Sequence, residues 1–318
     1  MKNKKTKIHL YISGGCGNQF FQYAFARKIQ EMYDAELIIN YILIRRYQQK
    51  RIGNDDLLHS FNVVNYSYKN NIDFGYLIFE LLRFVRGIFR LKDFDKRTYK
   101  FYLWCAKLLP FWGIYYFDAA YFQYKFRPRR HIYIRGYFES GEYFKEIDNK
   151  LRAELVMKDK MSEENEELYK KIHSCNSVCV TIKRQDIEDS RTSDLYSYDI
   201  SYFYKGIEYI KSKVINPVFF IFSDSIEWCK KNLIIQDEVY YENDGNTIGE
   251  KIRLMSACRH FIIHNSTFSW WAQHLSDNME KIVVAPAKWM QRDDQPIDIY
   301  EDNWVYIDEN CEITNAHQ

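Results

Sequence analysis

No run of apolar residues in this 318-residue chain reaches the length a membrane-spanning helix needs, roughly 18–20 residues. The basic start, MKNKKTKIHLYISGG, carries only the short apolar run IHLYI. That is too short for the core of a secretory signal and reads as a first buried strand. Charge of one sign is scarce as well: 45 Lys and Arg against 43 Asp and Glu leave +2. A bulk electrostatic hold on nucleic acid is therefore not expected. No CxxC pair occurs among the seven cysteines, and their number is odd. In a chain of this size that points to reduced thiols and a cytoplasmic setting rather than a disulfide framework. Cys175 and Cys179 lie four apart with no matching pair downstream, so a zinc site is not expected. Low-complexity segments and tandem repeats are absent too.

What is present is core material. Apolar and aromatic residues make up 47% of the chain, enough for one large or two mid-sized domains. KIHLYIS (7–13) reads as a strand, Gly14, Gly15 and Gly17 as a loop, residues 18–33 as a helix, and ELIIN (36–40) as a second strand. This order opens an α/β sheet. A crossover is expected near 150, giving domains 1–150 and 151–318. Beyond a polar helical stretch over 139–155, the rhythm repeats. SVCVTIK, VFFIFSD, HFIIHN and KIVVAP read as buried strands, with helices at 199–214, 225–233, 251–258 and 267–276. The implied architecture is α/β with mostly parallel sheets.

Residues 74–124 differ in character. Large apolar residues alternate there with Arg83, Arg86 and Arg90, which share a helical face. Two readings stand open: helices packed on the sheet with solvated arginines, or an interfacial helix that touches anionic lipid or a lipid-linked acceptor.

In an open α/β sheet, ligands bind beyond the carboxyl ends of the strands, and four polar loops fall there. The first holds Gly14, Gly15, Cys16, Gly17, Asn18 and Gln19. Glycines let a ligand approach backbone, and Asn18 could cap the next helix or reach a substrate. The spacing is neither GxGxxG nor a P-loop, so an ordinary turn is equally compatible. The second loop, Lys183-Arg184-Gln185-Asp186, suits a departing diphosphate or a surface ion-pair cluster. In the third, Ser223-Asp224 fits a base or ribose, or a helix cap. The fourth runs His264-Asn265-Ser266-Thr267-Phe268-Ser269-Trp270-Trp271. Its hydroxyls at a helix start could meet phosphate oxygens, while the tryptophans read as core.

Those residues carry a resemblance. GGCGNQFFQYAFARKI (14–29) resembles the N-terminal signature of glycosyltransferase family 11, the α-1,2-fucosyltransferases. IYIRGYFESGEYF, VTIKRQD, VFFIFSDSIEWCKKNL with LMSACRHFIIHNSTFSWW, and IVVAPAKWM resemble further segments of that family, in the same order. Residues 41–130 match only in general character. The resemblance implies a GT-B-like pair of Rossmann-like domains, the first on the acceptor side and the second binding the GDP-sugar. It implies inverting transfer of fucose from GDP-β-L-fucose onto a galactose, with no required metal or other cofactor. Arg184 and Asp186 match the second arginine and the aspartate of the family's His-x-Arg-Arg-x-Asp motif. Asn18, with Gly15, Gly17 and Gln19 around it, matches the Gly-rich loop. Ser223 and Asp224 match the Phe-Ser-Asp segment, and Asn265, Ser266, Thr267 and Phe268 the Asn-Ser-[Ser/Thr]-Phe segment that lies against the nucleotide in related fucosyltransferases.

The departures fall in one motif. Thr181 stands where the motif has histidine, Lys183 where it has its first arginine, and Gln185 where it has glycine. Lysine keeps the charge but lacks the two-pronged fork of a guanidinium. The expected catalytic set is Lys183, Arg184, Asp186 and Asn18, with Glu188 and Asp189 as further candidates for a base. Asp93-Phe94-Asp95 is formally a DxD metal motif, but Lys92, Lys96 and Arg97 around it argue against a cation. Two alternatives remain at this stage: another GDP-deoxysugar as donor, or a carbohydrate-binding relative without turnover. The expected partners are GDP-fucose and an oligosaccharide acceptor in bacterial surface polysaccharide synthesis, with the inner membrane as a peripheral contact.

Overall fold

The computed structural model describes residues 5–47, 56–92, 95–184, 199–290 and 296–314. They fall into two compact units, 1–156 with 292–299 and 157–291 with 300–318. The division lies beyond the expected 150/151 because the helix Asp148–Glu154 completes the first core. Glu154 accepts hydrogen bonds from Tyr23 Oη at 2.5 Å and Arg27 Nε at 3.0 Å.

The first unit is built on β1 (Lys7–Tyr11), β2 (Glu36–Asn40), β3 (Ser67–Lys69), β4 (Ile114–Tyr116) and β5 (His131–Arg135). Their spatial order is β3-β2-β1-β5-β4 and every pairing is parallel. KIHLY and ELIIN are nearly continuous apolar runs, as strands covered on both faces require. The helix Cys16–Tyr33 packs on the sheet through Phe20, Phe21, Tyr23 and Phe25, all fully buried. Phe25 stacks on Phe138 with centroids 3.9 Å apart. The polar stretch expected as one helix over 139–155 is broken into 3₁₀ turns at Gly141–Tyr143 and Lys145–Ile147 before the helix at 148. Breaking it lets Tyr143, Phe144 and Ile147 all turn into the core.

Helix Phe74–Ile88 starts at Asp73, whose carboxylate accepts from Tyr76 N–H at 3.1 Å and from the Tyr11 hydroxyl of β1. Gly75 allows this close approach, since a methyl there would collide with Tyr11 and Tyr133. Beyond its first turn the helix buries little. Gly75, Tyr76 and Phe79 face inward, whereas Phe74, Leu77, Leu81, Phe84 and Ile88 are 57–67% exposed. The helix meets the sheet through its first turn and through Phe79 against Tyr11 and Tyr116, so the reading of 74–124 as helices packed on the sheet holds here for only part of its apolar surface.

The second unit contains β6 (Asn176–Ile182), β7 (Pro217–Ser223), β8 (Val239–Tyr241), β9 (His260–Ile262), β10 (Val283–Pro286), β11 (Val305–Ile307) and β12 (Ile313–Thr314). The order is β12-β11-β10-β9-β6-β7-β8, parallel except for β12. Counted along this unit, the six parallel strands run 3-2-1-4-5-6, the dinucleotide-fold order. Its core joins Val178, Val180, Ile221 and Ile262 to Phe203 and Ile210 of the helix Ile200–Lys213.

Candidate active site

The strand order of the second unit reverses between β6 and β9. At such a switch point the connections leave on opposite faces and a crevice opens beyond the strand ends. Lys183 and Arg184 follow β6 there, and His264, Asn265 and Ser266 follow β9. The two strand exits are joined: the backbone N–H of His264 donates to Thr181 Oγ1 at 3.0 Å. A cavity of about 220 Å³ opens at this mouth, lined by Lys183, Arg184, Asp199, Phe203, Trp228 and His264 among others. It is smaller than the roughly 300–1,000 Å³ of a whole-ligand pocket and suits one group of a ligand.

Arg184 is fixed from two sides. Its backbone N–H donates to Asp224 Oδ1 at 2.8 Å, and its guanidinium lies 4.1 Å from the ring centre of Trp228. Trp228 belongs to the helix Ile226–Asn232, which begins just after β7. Ser223 is held from below, its N–H donating to Glu242 Oε1 at 2.8 Å. Burial pushes the Glu242 carboxyl up, and Lys251 at 2.9 Å opposes that shift. Ser223 Oγ accepts from Ser225 N–H at 3.0 Å and so shapes the turn. Asp224 is exposed at the rim.

His264 is 2% exposed, and among the described residues neither ring nitrogen has a hydrogen-bond partner. Its ring lies nearly parallel to Phe203, 8° between planes. Burial, with the charges of Lys183 and Arg184, pulls its pKa down to about 3, so the ring is neutral at physiological pH. Asn265 is wired into the scaffold, Nδ2 donating to the Trp289 carbonyl at 2.8 Å. Ser266 is the N-cap residue of the helix Thr267–His274, but its side chain makes no capping bond. Thr267 and Phe268 occupy the first turn, half-buried, while Trp270 and Trp271 are fully buried. Thus Lys183, Arg184, Ser223, Asp224, Asn265 and Ser266 gather at one mouth. Asp186, Glu188 and Asp189 lie outside the described residues.

The Gly-rich loop lies at the corresponding strand end of the first unit. Gly14 has φ +81°, which favours glycine, and a Cβ there would sit 2.6 Å from Asn18 Nδ2 and push that amide aside. The helix starts at Cys16 with Gly15 as its N-cap residue. Asn18 therefore lies inside the first turn and is not the cap. Gly17 is buried in that turn. Gln19 is fully buried; its amide donates to Gly14 O at 3.1 Å and accepts from Leu57 N–H at 3.3 Å. Gln22 grips Ser13 through both N–H and C=O, at 2.9 and 2.8 Å. These glutamines shape the loop. At the adjoining end of β5, burial and the nearby Asp118 charge push the Glu139 carboxyl up to about 8. Asp95 of the formal DxD caps the helix Lys96–Leu108, accepting from Arg97 N–H at 2.8 Å; Asp93 is outside the described residues.

Sequence reasoning placed His264 in the fourth loop without a role of its own, and passed over Phe203, Trp228 and Glu139. A histidine or tryptophan inside an apolar run reads as core, and only the folded neighbourhood shows the cavity edge. Glu139 carried one signal, its place in IYIRGYFESGEYF beyond a strand.

The glycosyl transferase family 11 model matches residues 7–308. An α-1,2-colitosyltransferase of Escherichia coli is 28% identical, over 93% of this chain and 97% of its own length. The O-antigen biosynthesis glycosyltransferase WbnK of Escherichia coli is 27% identical, over 93% and 99%. Among solved structures, the fucosyltransferase NodZ from Bradyrhizobium shares the fold at TM-score 0.50 and 13% identity, covering 86% of this chain and 94% of NodZ. The order of the motifs, the two mostly parallel sheets and a match over nearly the whole chain agree: the chain belongs to glycosyl transferase family 11.

Proposed function

We propose that the chain is an inverting transferase that moves L-fucose from GDP-β-L-fucose to the 2-hydroxyl of a galactose-like residue of an oligosaccharide acceptor. The observation that carries this reading is the cation pair Lys183 and Arg184 at the switch point, with Arg184 held by Asp224 and Trp228. In the transfer the bond from C1 to the β-phosphate oxygen breaks, and its electron pair leaves with GDP. The acceptor oxygen bonds C1 from the opposite face and gives its proton to a base. Negative charge grows on the diphosphate, where fixed cations lower the barrier. Lys183 and Arg184 supply that charge in this reading, so no metal is required. By sequence, Asp186, Glu188 and Asp189 are the candidates for the base, or Asp186 orients Arg184 instead. Relatives named for O-antigen biosynthesis and colitosyl transfer support a role in surface polysaccharide synthesis.

A second reading keeps the chemistry and exchanges fucose for another GDP-linked deoxysugar; the colitosyltransferase relative favours it. One experiment separates the two. Purified protein is incubated in EDTA with a panel of GDP-sugars and galactosides, and GDP release and product mass are followed. Acceptor-dependent release with a deoxyhexose added supports the first reading. Release only with a dideoxyhexose donor supports the second. GDP binding without release from any donor would favour a carbohydrate-binding relative.

The exposed stripe of Phe74, Leu77, Leu81, Phe84 and Ile88 supports a further element of the proposal, peripheral contact with the anionic cytoplasmic face of a membrane. Arg83, Arg90, Lys92, Lys96 and Arg97 are exposed near it in sequence. This pairing of apolar side chains with cations suits an interfacial helix. No helix among the described residues is long and apolar enough to cross a membrane.

A further inference from the structure

Resting on the nucleotide-sugar reading above, we propose that His264 binds the donor. Its ring donates a hydrogen bond to the diphosphate, in place of the imidazole that the family motif carries at position 181. Burial and bonding are mismatched at this side chain. His264 is 2% exposed, yet both ring nitrogens are without a partner among the described residues. Orphaned polar atoms in a buried side chain oppose folding, and a phenylalanine would fill the same space without that cost. The ring is not needed to set the backbone either, since the His264 N–H is already held by Thr181 Oγ1. It lies instead against Phe203, at the edge of the cavity that Lys183 and Arg184 also line.

The ligand group follows from those neighbours. A group that sits beside two cations and accepts from a neutral imidazole N–H is a phosphate oxygen. The other ring nitrogen can then accept from a sugar hydroxyl or a water. Position 181 gives the inference its reach. β6 and β9 pair in parallel, Val180 opposite Ile262, so Thr181 and His264 leave adjacent strand ends. The motif's histidine at 181 is threonine here, and the threonine hydroxyl takes up the N–H of the residue that now carries the ring. The imidazole has moved one strand across the same mouth.

The test compares GDP affinity, by calorimetry, for the full chain and three variants: His264→Phe, His264→Ala and the double Thr181→His/His264→Ser. Thermal melting without nucleotide is recorded beside it. We expect His264→Phe to bind GDP about tenfold more weakly or worse, while melting at or above the wild-type temperature. A packing role would instead move stability and leave affinity alone. The double variant should recover most of the lost affinity. If wild type binds GDP and His264→Phe binds it equally well, the inference is overturned. A double variant as weak as His264→Ala would overturn the idea that one imidazole replaces the other. A wild type that does not bind GDP at all would sink the nucleotide reading itself, a distinct result.

Discussion

Lys183 and Arg184 are neighbours in sequence with different side-chain chemistry. Arg184 is positioned through Asp224 and Trp228, whereas lysine at 183 offers a point charge without a fork. Lys183→Ala should lower kcat by about 10²–10³, the usual loss when one stabiliser of developing charge is removed. Lys183→Arg should retain or raise it; single-turnover GDP release measures both. Trp228→Ala removes a cation–π contact worth about 0.5–2 kcal/mol, and GDP affinity should fall by a few-fold to about thirtyfold in a titration. Two groups with shifted pKa values also set opposite slopes in stability against pH. His264 binds its proton more readily unfolded, near its ordinary 6.5, than folded, near 3. Its contribution is therefore lost as pH falls from about 6.5 toward 3, and His264→Phe should flatten that limb. Glu139 is the reverse, protonated in the folded state up to about 8 but ionised above about 4.5 when unfolded. Stability is lost as pH rises through that window, and Glu139→Gln should remove the slope. Denaturant midpoints across pH 4–9 read both. Neither shift is legible in the sequence, because desolvation depends on which side chains close over a group.

At the scale of elements, the helix Phe74–Ile88 leaves most of its apolar face uncovered among the described residues. Fully burying one large apolar side chain contributes about 1.5–3 kcal/mol, so several together would give firm attachment even with partial burial. Replacing Leu77, Leu81 and Phe84 by serine should abolish flotation with phosphatidylglycerol vesicles and leave GDP affinity unchanged. Unaltered flotation would remove the membrane contact from the proposal. Sequence periodicity already showed this helix and its arginines, but which face meets the sheet depends on tertiary packing. Arg86, for instance, donates to Tyr102 at 2.9 Å rather than facing solvent with Arg83. Elsewhere ELIIN was legible to the residue, because a buried parallel strand is one apolar run. The helix start at Cys16 was not, since Gly15 serves as N-cap residue without a side chain to announce it. Short strands such as β8 and β11 carry too few residues to stand out from loops.

At the scale of the whole molecule, the two units carry different chemistry at their strand ends. The second gathers cations, an aromatic wall and a neutral imidazole, a set suited to a diphosphate. The first presents a tightly pinned glycine loop beside a carboxyl that stays protonated at neutral pH, a set suited to hydroxyl groups. The two ligands of the proposed reaction, a charged donor and an uncharged sugar acceptor, differ in the same sense. Hydrogen exchange with and without GDP tests it. Amides at 181–184, 223–228 and 263–268 should exchange more slowly with GDP bound, because a ligand that binds only the native state suppresses local opening there. At GDP concentrations a hundredfold above Kd the protection should approach about 2.7 kcal/mol. Protection confined to the glycine loop at 14–19 would place the nucleotide in the first unit and overturn the assignment of Lys183 and Arg184. Slowing at both strand ends would leave that assignment standing and show that the loop also responds when the donor site fills.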